Sequence, residues 1–104
     1  MLILNAFSLN MVSAGAVIRT FPASREEVAE LAKSGQLESG IGHADTARVL
    51  SGLLGAEIAP NRVTVSLQSG DTALVAQYRG PRLPEGATVL PEGATLEFIK
   101  VQVE

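Results

Sequence analysis

The pattern of apolar and polar positions along the chain predicts five β-strands. The alternation is strictest between residues 62 and 67, where every second residue is Val or Leu. A period of two is typical of a strand with one buried face. The turn sequence Ser69-Gly70-Asp71 follows and predicts a hairpin to a partner strand at residues 72–79, which is expected to be more buried. The predicted strands are residues 1–5, 15–21, 62–67, 72–79 and 95–103, with Pro22 expected to end the second.

Apolar residues spaced three and four apart predict two helices, over residues 25–33 and about 45–54. Ser24 is placed to cap the first helix, and Glu27 completes a capping box three residues later. Gly55 is placed to end the second. Together these elements predict an α+β fold, a five-stranded mixed sheet with two main helices packed mostly on one face.

The composition is that of one folded domain spanning residues 1–104. Apolar residues make up 46% of the sequence and charged residues 18%, which suits a buried core and not a disordered chain. The absence of cysteine excludes disulfides and thiolate metal sites. A single histidine among scattered carboxylates is poor material for a metal site. We therefore expect neither a metal nor a cofactor.

The net charge of −3 argues against a general nucleic-acid-binding surface, so we expect no DNA partner. Six of the eight basic residues are arginines, which suit forked contacts to phosphate in a local pocket. The apolar start of the chain is too short for a signal peptide, and no apolar run reaches membrane-spanning length. We expect a cytoplasmic protein without membrane contact.

The only histidine, His43, lies where the second helix is predicted to begin, just after Gly40 and Gly42. Glycine lets the backbone approach a ligand closely, and a helix N-terminus offers unpaired N–H groups that favour phosphate. This stretch therefore predicts contact between His43 and a phosphodiester. A purely structural role for a single histidine is the alternative.

Three other polar stretches have simple structural interpretations when taken one at a time. Asn5, Ser8 and Asn10 are explained as residues that cap a turn. Arg62, after Asn61, is explained as an exposed arginine at a strand edge, and Arg82 with Glu85 as a surface ion pair. The sequence Pro-Glu-Gly-Ala-Thr also occurs twice, at 84–88 and 91–95, and a pair of similar turns is its favoured explanation.

Taken in order, four stretches resemble the ring nucleases that archaeal viruses and phages use as anti-CRISPR proteins. This small family also has bacterial host members and was long known only as an uncharacterised crenarchaeal viral protein. Its archaeal members often carry an aspartate directly after the histidine, whereas this chain has Ala44 there and Asp45 next. The four stretches are residues 5–11, residues 41–43 with Thr46, residues 61–63 and residues 82–86.

The resemblance implies a metal-independent phosphodiesterase that cleaves cyclic tetra-adenylate, the second messenger of type III CRISPR defence. It also implies a two-fold homodimer that encloses the ring, in the host cytoplasm if the protein is viral. By the same resemblance, the catalytic residues are His43, Arg82 and Glu85. The residues that the resemblance assigns to ligand binding are Asn5, Ser8, Asn10, Gly42, Thr46 and Arg62.

Cleavage of RNA without a metal uses the ribose 2′-hydroxyl as nucleophile and leaves a 2′,3′-cyclic phosphate. His43 suits protonation of the leaving 5′-oxygen, because imidazole titrates near neutral pH. Arg82 suits neutralisation of the phosphorane. Glu85 either orients His43 or contacts the 2′-hydroxyl. Two alternatives stay open: a non-catalytic binder of cyclic nucleotides, and a structural domain whose edge strand pairs with a partner protein.

Overall fold

The computed structural model describes residues 1–104. Five strands and two helices form in it, with a short 3-10 turn at Leu9–Met11 after the first strand. The strands are β1 (Leu2–Leu4), β2 (Ile18–Ala23), β3 (Glu38–Gly40), β4 (Thr72–Arg79) and β5 (Thr95–Val103). The helices are α1 (Arg25–Lys33) and α2 (Ala44–Leu54).

The strands form one mixed sheet in the order β2-β5-β4-β1-β3. β5 pairs antiparallel with both β2 and β4, whereas β1 pairs parallel with both β3 and β4. The predicted α+β fold with a five-stranded mixed sheet and two helices is therefore confirmed.

Both helices begin and end within one residue of the predicted bounds, since α1 matches residues 25–33 and α2 begins at Ala44, one residue before the predicted start. The hydroxyl of Ser24 accepts a hydrogen bond from the Glu27 N–H at 3.0 Å and caps α1. Gly55 ends α2 in the left-handed conformation, with φ of 68°. The apolar sides of the two helices pack on one face of the sheet. The fully buried side chains of this core include Ile3, Val28, Ile41, Leu50 and Leu74.

Loop residues cover part of the opposite face of the sheet. Leu4 and Val103 from the strands form a second apolar cluster there with Leu67 from the connection before β4. Phe7 and Met11, from the loop after β1, pack against the same cluster. This packing holds the loop after β1 beside the sheet, next to the ends of the central strands.

The prediction of a strand at residues 62–67 is wrong, and so is the hairpin to β4. These residues belong to no sheet, although Leu67 is buried as the alternation predicts. Both neighbours of β4 are already strands, β1 and β5, so no free edge is left there. A main-chain hydrogen bond from the Leu67 N–H to the Met11 carbonyl, at 2.7 Å, holds the segment instead.

The strand that replaces residues 62–67 in the count of five is β3, which was not predicted because three residues are too few to show alternation. The second strand also differs, since β2 begins at Ile18 and continues through Pro22 to Ala23. Proline is tolerated there because β2 is an edge strand that pairs only with β5.

Candidate active site

A polar cavity of about 890 Å³ opens at the N-terminus of α2. Three segments meet around it: the first turn of α2, the end of β4, and the loop that follows β4. The residues that line it are His43, Asp45, Thr46, Tyr78, Gly80, Arg82, Leu83, Pro84 and Glu85. The structure therefore brings together all three predicted catalytic residues and Thr46, from chain positions up to about forty residues apart.

His43 is the residue immediately before α2, and only its main chain caps the helix. Its backbone is extended, with φ of −104° and ψ of 124°, and its carbonyl accepts the Ala47 N–H at 3.0 Å. Its side chain makes no capping hydrogen bond and is exposed. The imidazole is therefore free to contact a ligand, and it is not part of the apolar core.

Arg82 and Glu85 lie in the loop between β4 and β5 and are both exposed. They form no ion pair with each other, since the three ion pairs of the chain join other residues. The interpretation of these two residues as a surface ion pair is therefore not borne out. A guanidinium and a carboxylate instead face the same cavity as His43 without a partner in the chain.

Two contacts within the loop fix its departure from β4. The Tyr78 hydroxyl donates a hydrogen bond to the Pro81 carbonyl. Gly80 has φ of 153° and lies so close to Ala94 that a Cβ placed on it would be 2.8 Å from the Ala94 Cβ. Because only glycine fits this conformation and this space, the direction of the chain before Arg82 is fixed.

Asn5 joins the end of β1 to the segment before His43. Its side-chain oxygen accepts the Gly42 N–H at 3.2 Å. Asn5 also lines a second, more apolar cavity of about 530 Å³, which shares Thr46 and Tyr78 with the polar one. Asn5 and Gly42 therefore belong to the surroundings of the site, with the Asn5 oxygen already used by the protein itself.

Like Gly42, the other three predicted ligand-binding residues, Ser8, Asn10 and Arg62, do not line either of these two cavities. The Ser8 hydroxyl donates to the Asn10 side-chain oxygen at 2.5 Å, and both residues are exposed beside the 3-10 turn. The side chain of Arg62 lies against Gly42, with its Nε 3.7 Å from where a Cβ of that glycine would be. Their contact with a ligand stays a prediction.

Sequence reasoning assigned no role in the site to Asp45 or Tyr78. Tyr78 is the only tyrosine and stands near the end of a strongly predicted strand, a position where side chains often reach a binding site. Asp45 carries no comparable signal, because an acidic residue in the first turn of a helix is common for electrostatic reasons alone.

No three His, Cys, Asp or Glu side chains are grouped in a way that could hold a metal ion. Neither helix has the length and apolar composition needed to cross a membrane. The fold and the cavity together define a small α+β protein with a polar site at a helix N-terminus.

The STIV B116-like family model matches residues 1–102, and the chain belongs to that family. Among solved structures it is similar to B116 of Sulfolobus turreted icosahedral virus. The two are 29% identical, the match covers 97% of each chain, and the TM-score is 0.79. A search of the curated proteins found no match. Membership of a family named after a viral protein is thus confirmed, and ring-nuclease activity stays a prediction.

Proposed function

We propose that the protein is a metal-independent ring nuclease that binds cyclic tetra-adenylate and cleaves it to linear di-adenylate, which would switch off type III CRISPR signalling. One observation carries the proposal. His43, Arg82 and Glu85 line the same cavity, and none of their side chains is paired with another group of the chain. An acid, a cation and a carboxylate are the groups that this reaction needs.

In the proposed reaction, the ribose 2′-oxygen forms a bond to phosphorus while the bond from phosphorus to the 5′-oxygen breaks. The 5′-oxygen takes a proton from the protonated His43 imidazole, and the 2′-hydroxyl gives its proton to solvent water or, where Glu85 contacts it, to the Glu85 carboxylate. Arg82 offsets the charge of the phosphorane. Glu85 accepts the 2′-hydroxyl hydrogen bond or orients His43. The products carry a 2′,3′-cyclic phosphate and a 5′-hydroxyl, so no water is consumed.

A two-fold homodimer is part of the proposal because each chain has a single histidine. Two subunits would present one imidazole to each of two opposite phosphates in a four-nucleotide ring. Cleavage at both phosphates gives two linear dinucleotides.

The more apolar cavity beside the polar one supports a nucleotide as ligand, as opposed to phosphate alone. Val75, Ile99 and Phe7 are among its lining residues, and it adjoins the polar cavity at Thr46 and Tyr78. Binding sites for small molecules commonly combine an apolar wall with a few polar groups. A base would occupy the apolar wall while its phosphate reaches His43.

The direct test mixes the purified protein with cyclic tetra-adenylate in EDTA and separates the products by chromatography. We expect linear di-adenylate from the wild-type protein. His43→Ala should still bind the ring but turn it over at least about 100-fold more slowly, since general acid catalysis contributes about that much or more. Undiminished cleavage by this variant would refute the mechanism.

A non-catalytic binder is the second candidate, and one observation favours it: no group of the chain accepts or donates a hydrogen bond to orient the His43 imidazole. Catalytic histidines are usually oriented by a third group. Incubation with excess ring decides between the two functions. Product beyond one equivalent per subunit excludes the binder, whereas bound, intact ring in EDTA supports it.

A further inference from the structure

The proposed catalytic groups come from two segments that are distant in the chain, and one hydrogen bond joins those segments directly. Asp45, in the first turn of α2, accepts the Gly86 N–H with its Oδ1 at 3.1 Å. Gly86 directly follows Glu85, and Asp45 is two residues after His43. This contact therefore links the segment that carries His43 to the turn that carries Glu85.

The repeated sequence shows what this hydrogen bond adds. Both copies of Pro-Glu-Gly-Ala form the same turn, in which the alanine N–H donates to the proline carbonyl at 3.0 Å in the first copy and 3.1 Å in the second. Gly86 and Gly93 have φ values of 79° and 81°. Only the first turn has its glycine N–H bound by a side chain. Because the second turn forms without such a bond, Asp45 is not needed to form the turn and instead fixes its location.

Arg48 offsets the charge of Asp45. Its Nη1 lies 2.8 Å from the same Oδ1 atom, one turn along α2. The ion pair therefore reduces the repulsion between Asp45 and a phosphate in the cavity. Hydrogen bonds to an ionised acceptor are also stronger than those between neutral groups.

We propose that Asp45 is a positioning residue that holds the turn of Glu85 against the N-terminus of α2, and so sets the place of Glu85 and of the preceding Arg82 relative to His43. The proposal rests on the ring-nuclease function for its catalytic consequence. The contact between Asp45 and Gly86 is testable without any ligand.

The first arm measures amide hydrogen exchange by NMR. In Asp45→Ala, the Gly86 N–H should exchange at least about tenfold faster than in the wild type, because its hydrogen bond to a charged group is lost. The Gly93 N–H, in the matched turn, should not change. Asp45→Asn keeps an oxygen acceptor and should restore slow exchange, and Arg48→Ala should leave Gly86 protected.

The second arm measures cleavage of cyclic tetra-adenylate by the same proteins. We expect kcat to fall at least about tenfold in Asp45→Ala, with a smaller change in KM, because misplaced catalytic groups slow the chemical step. Asp45→Asn should recover most of the loss. Asp71→Asn is the control, since Asp71 also accepts a main-chain N–H, that of Gln68 at 2.8 Å, but lies in a turn away from the cavity. Circular dichroism checks that each variant is folded.

The two arms separate the two proposals. Unchanged Gly86 exchange in Asp45→Ala overturns the positioning role, whatever the enzyme does. Faster exchange with unchanged kcat also overturns it, because the turn would then move without effect on the reaction. If the wild-type protein leaves the ring intact, the proposed function fails, and the exchange of Gly86 still decides whether Asp45 holds the turn.

Discussion

Replacing Gly80 by alanine tests whether the loop that carries Arg82 depends on a close approach of two chain segments. A Cβ on Gly80 would lie 2.8 Å from the Ala94 Cβ, 3.0 Å from the Ala94 Cα and 3.1 Å from the Tyr78 hydroxyl oxygen. The first two neighbours belong to a short, rigid residue that cannot turn away. The main chain of the loop must therefore shift, and Arg82 must shift with it.

Gly93 supplies a matched control for the size of this effect. Its φ of 81° is also one that favours glycine, but a Cβ placed on it would have nothing within 4 Å. Each alanine carries a backbone penalty of about 1–3 kcal/mol. Gly80→Ala adds an overpacking penalty of about 1–3 kcal/mol. We therefore expect Gly80→Ala to lose about 1–3 kcal/mol more free energy of unfolding than Gly93→Ala.

Urea denaturation of the wild-type protein and both variants measures these differences. Unfolding is monitored by circular dichroism, because the chain has no tryptophan whose fluorescence could report it. Cleavage assays on the folded variants add a second readout, in which only Gly80→Ala should lower kcat. Equal losses of stability in the two variants would refute the reasoning, since the close contact with Ala94 would then cost nothing.

Two further predictions concern the site. Asn5→Ala should lower the free energy of unfolding by about 1 kcal/mol, because the part-buried Gly42 N–H loses its acceptor. Asn5→Asp keeps an oxygen acceptor there, so urea denaturation should show a smaller loss of stability. Equal losses of stability in the two variants would contradict the role of this hydrogen bond. Glu85→Gln should slow cleavage of cyclic tetra-adenylate about tenfold or more. Glu92→Gln is the control, because it changes the same position of the second turn, which does not line the cavity, and it should cleave at the wild-type rate. Similar cleavage rates for Glu85→Gln and Glu92→Gln would contradict a catalytic role for Glu85.

Local signals in the sequence were sufficient for much of the fold. The cap that Ser24 forms with the Glu27 N–H and the left-handed Gly55 involve residues only a few positions apart, so the sequence alone locates the start of α1 and the end of α2. The buried apolar run of β4 and the alternating run of β5 likewise match the predicted residues 72–79 and 95–103. The location of His43 at the start of α2 follows from the same local pattern.

Sheet membership and the shape of the site needed the tertiary structure. Residues 62–67 alternate as a strand does, yet β4 already has two neighbours, whereas the weakly patterned β3 finds the free edge of β1. The contact of Asp45 with Gly86 joins groups 41 residues apart, and no local pattern encodes it. Capping and alternation depend on near neighbours in the chain, but a strand's partners and a cavity's walls depend on which distant segments have unsatisfied edges and faces when the chain packs.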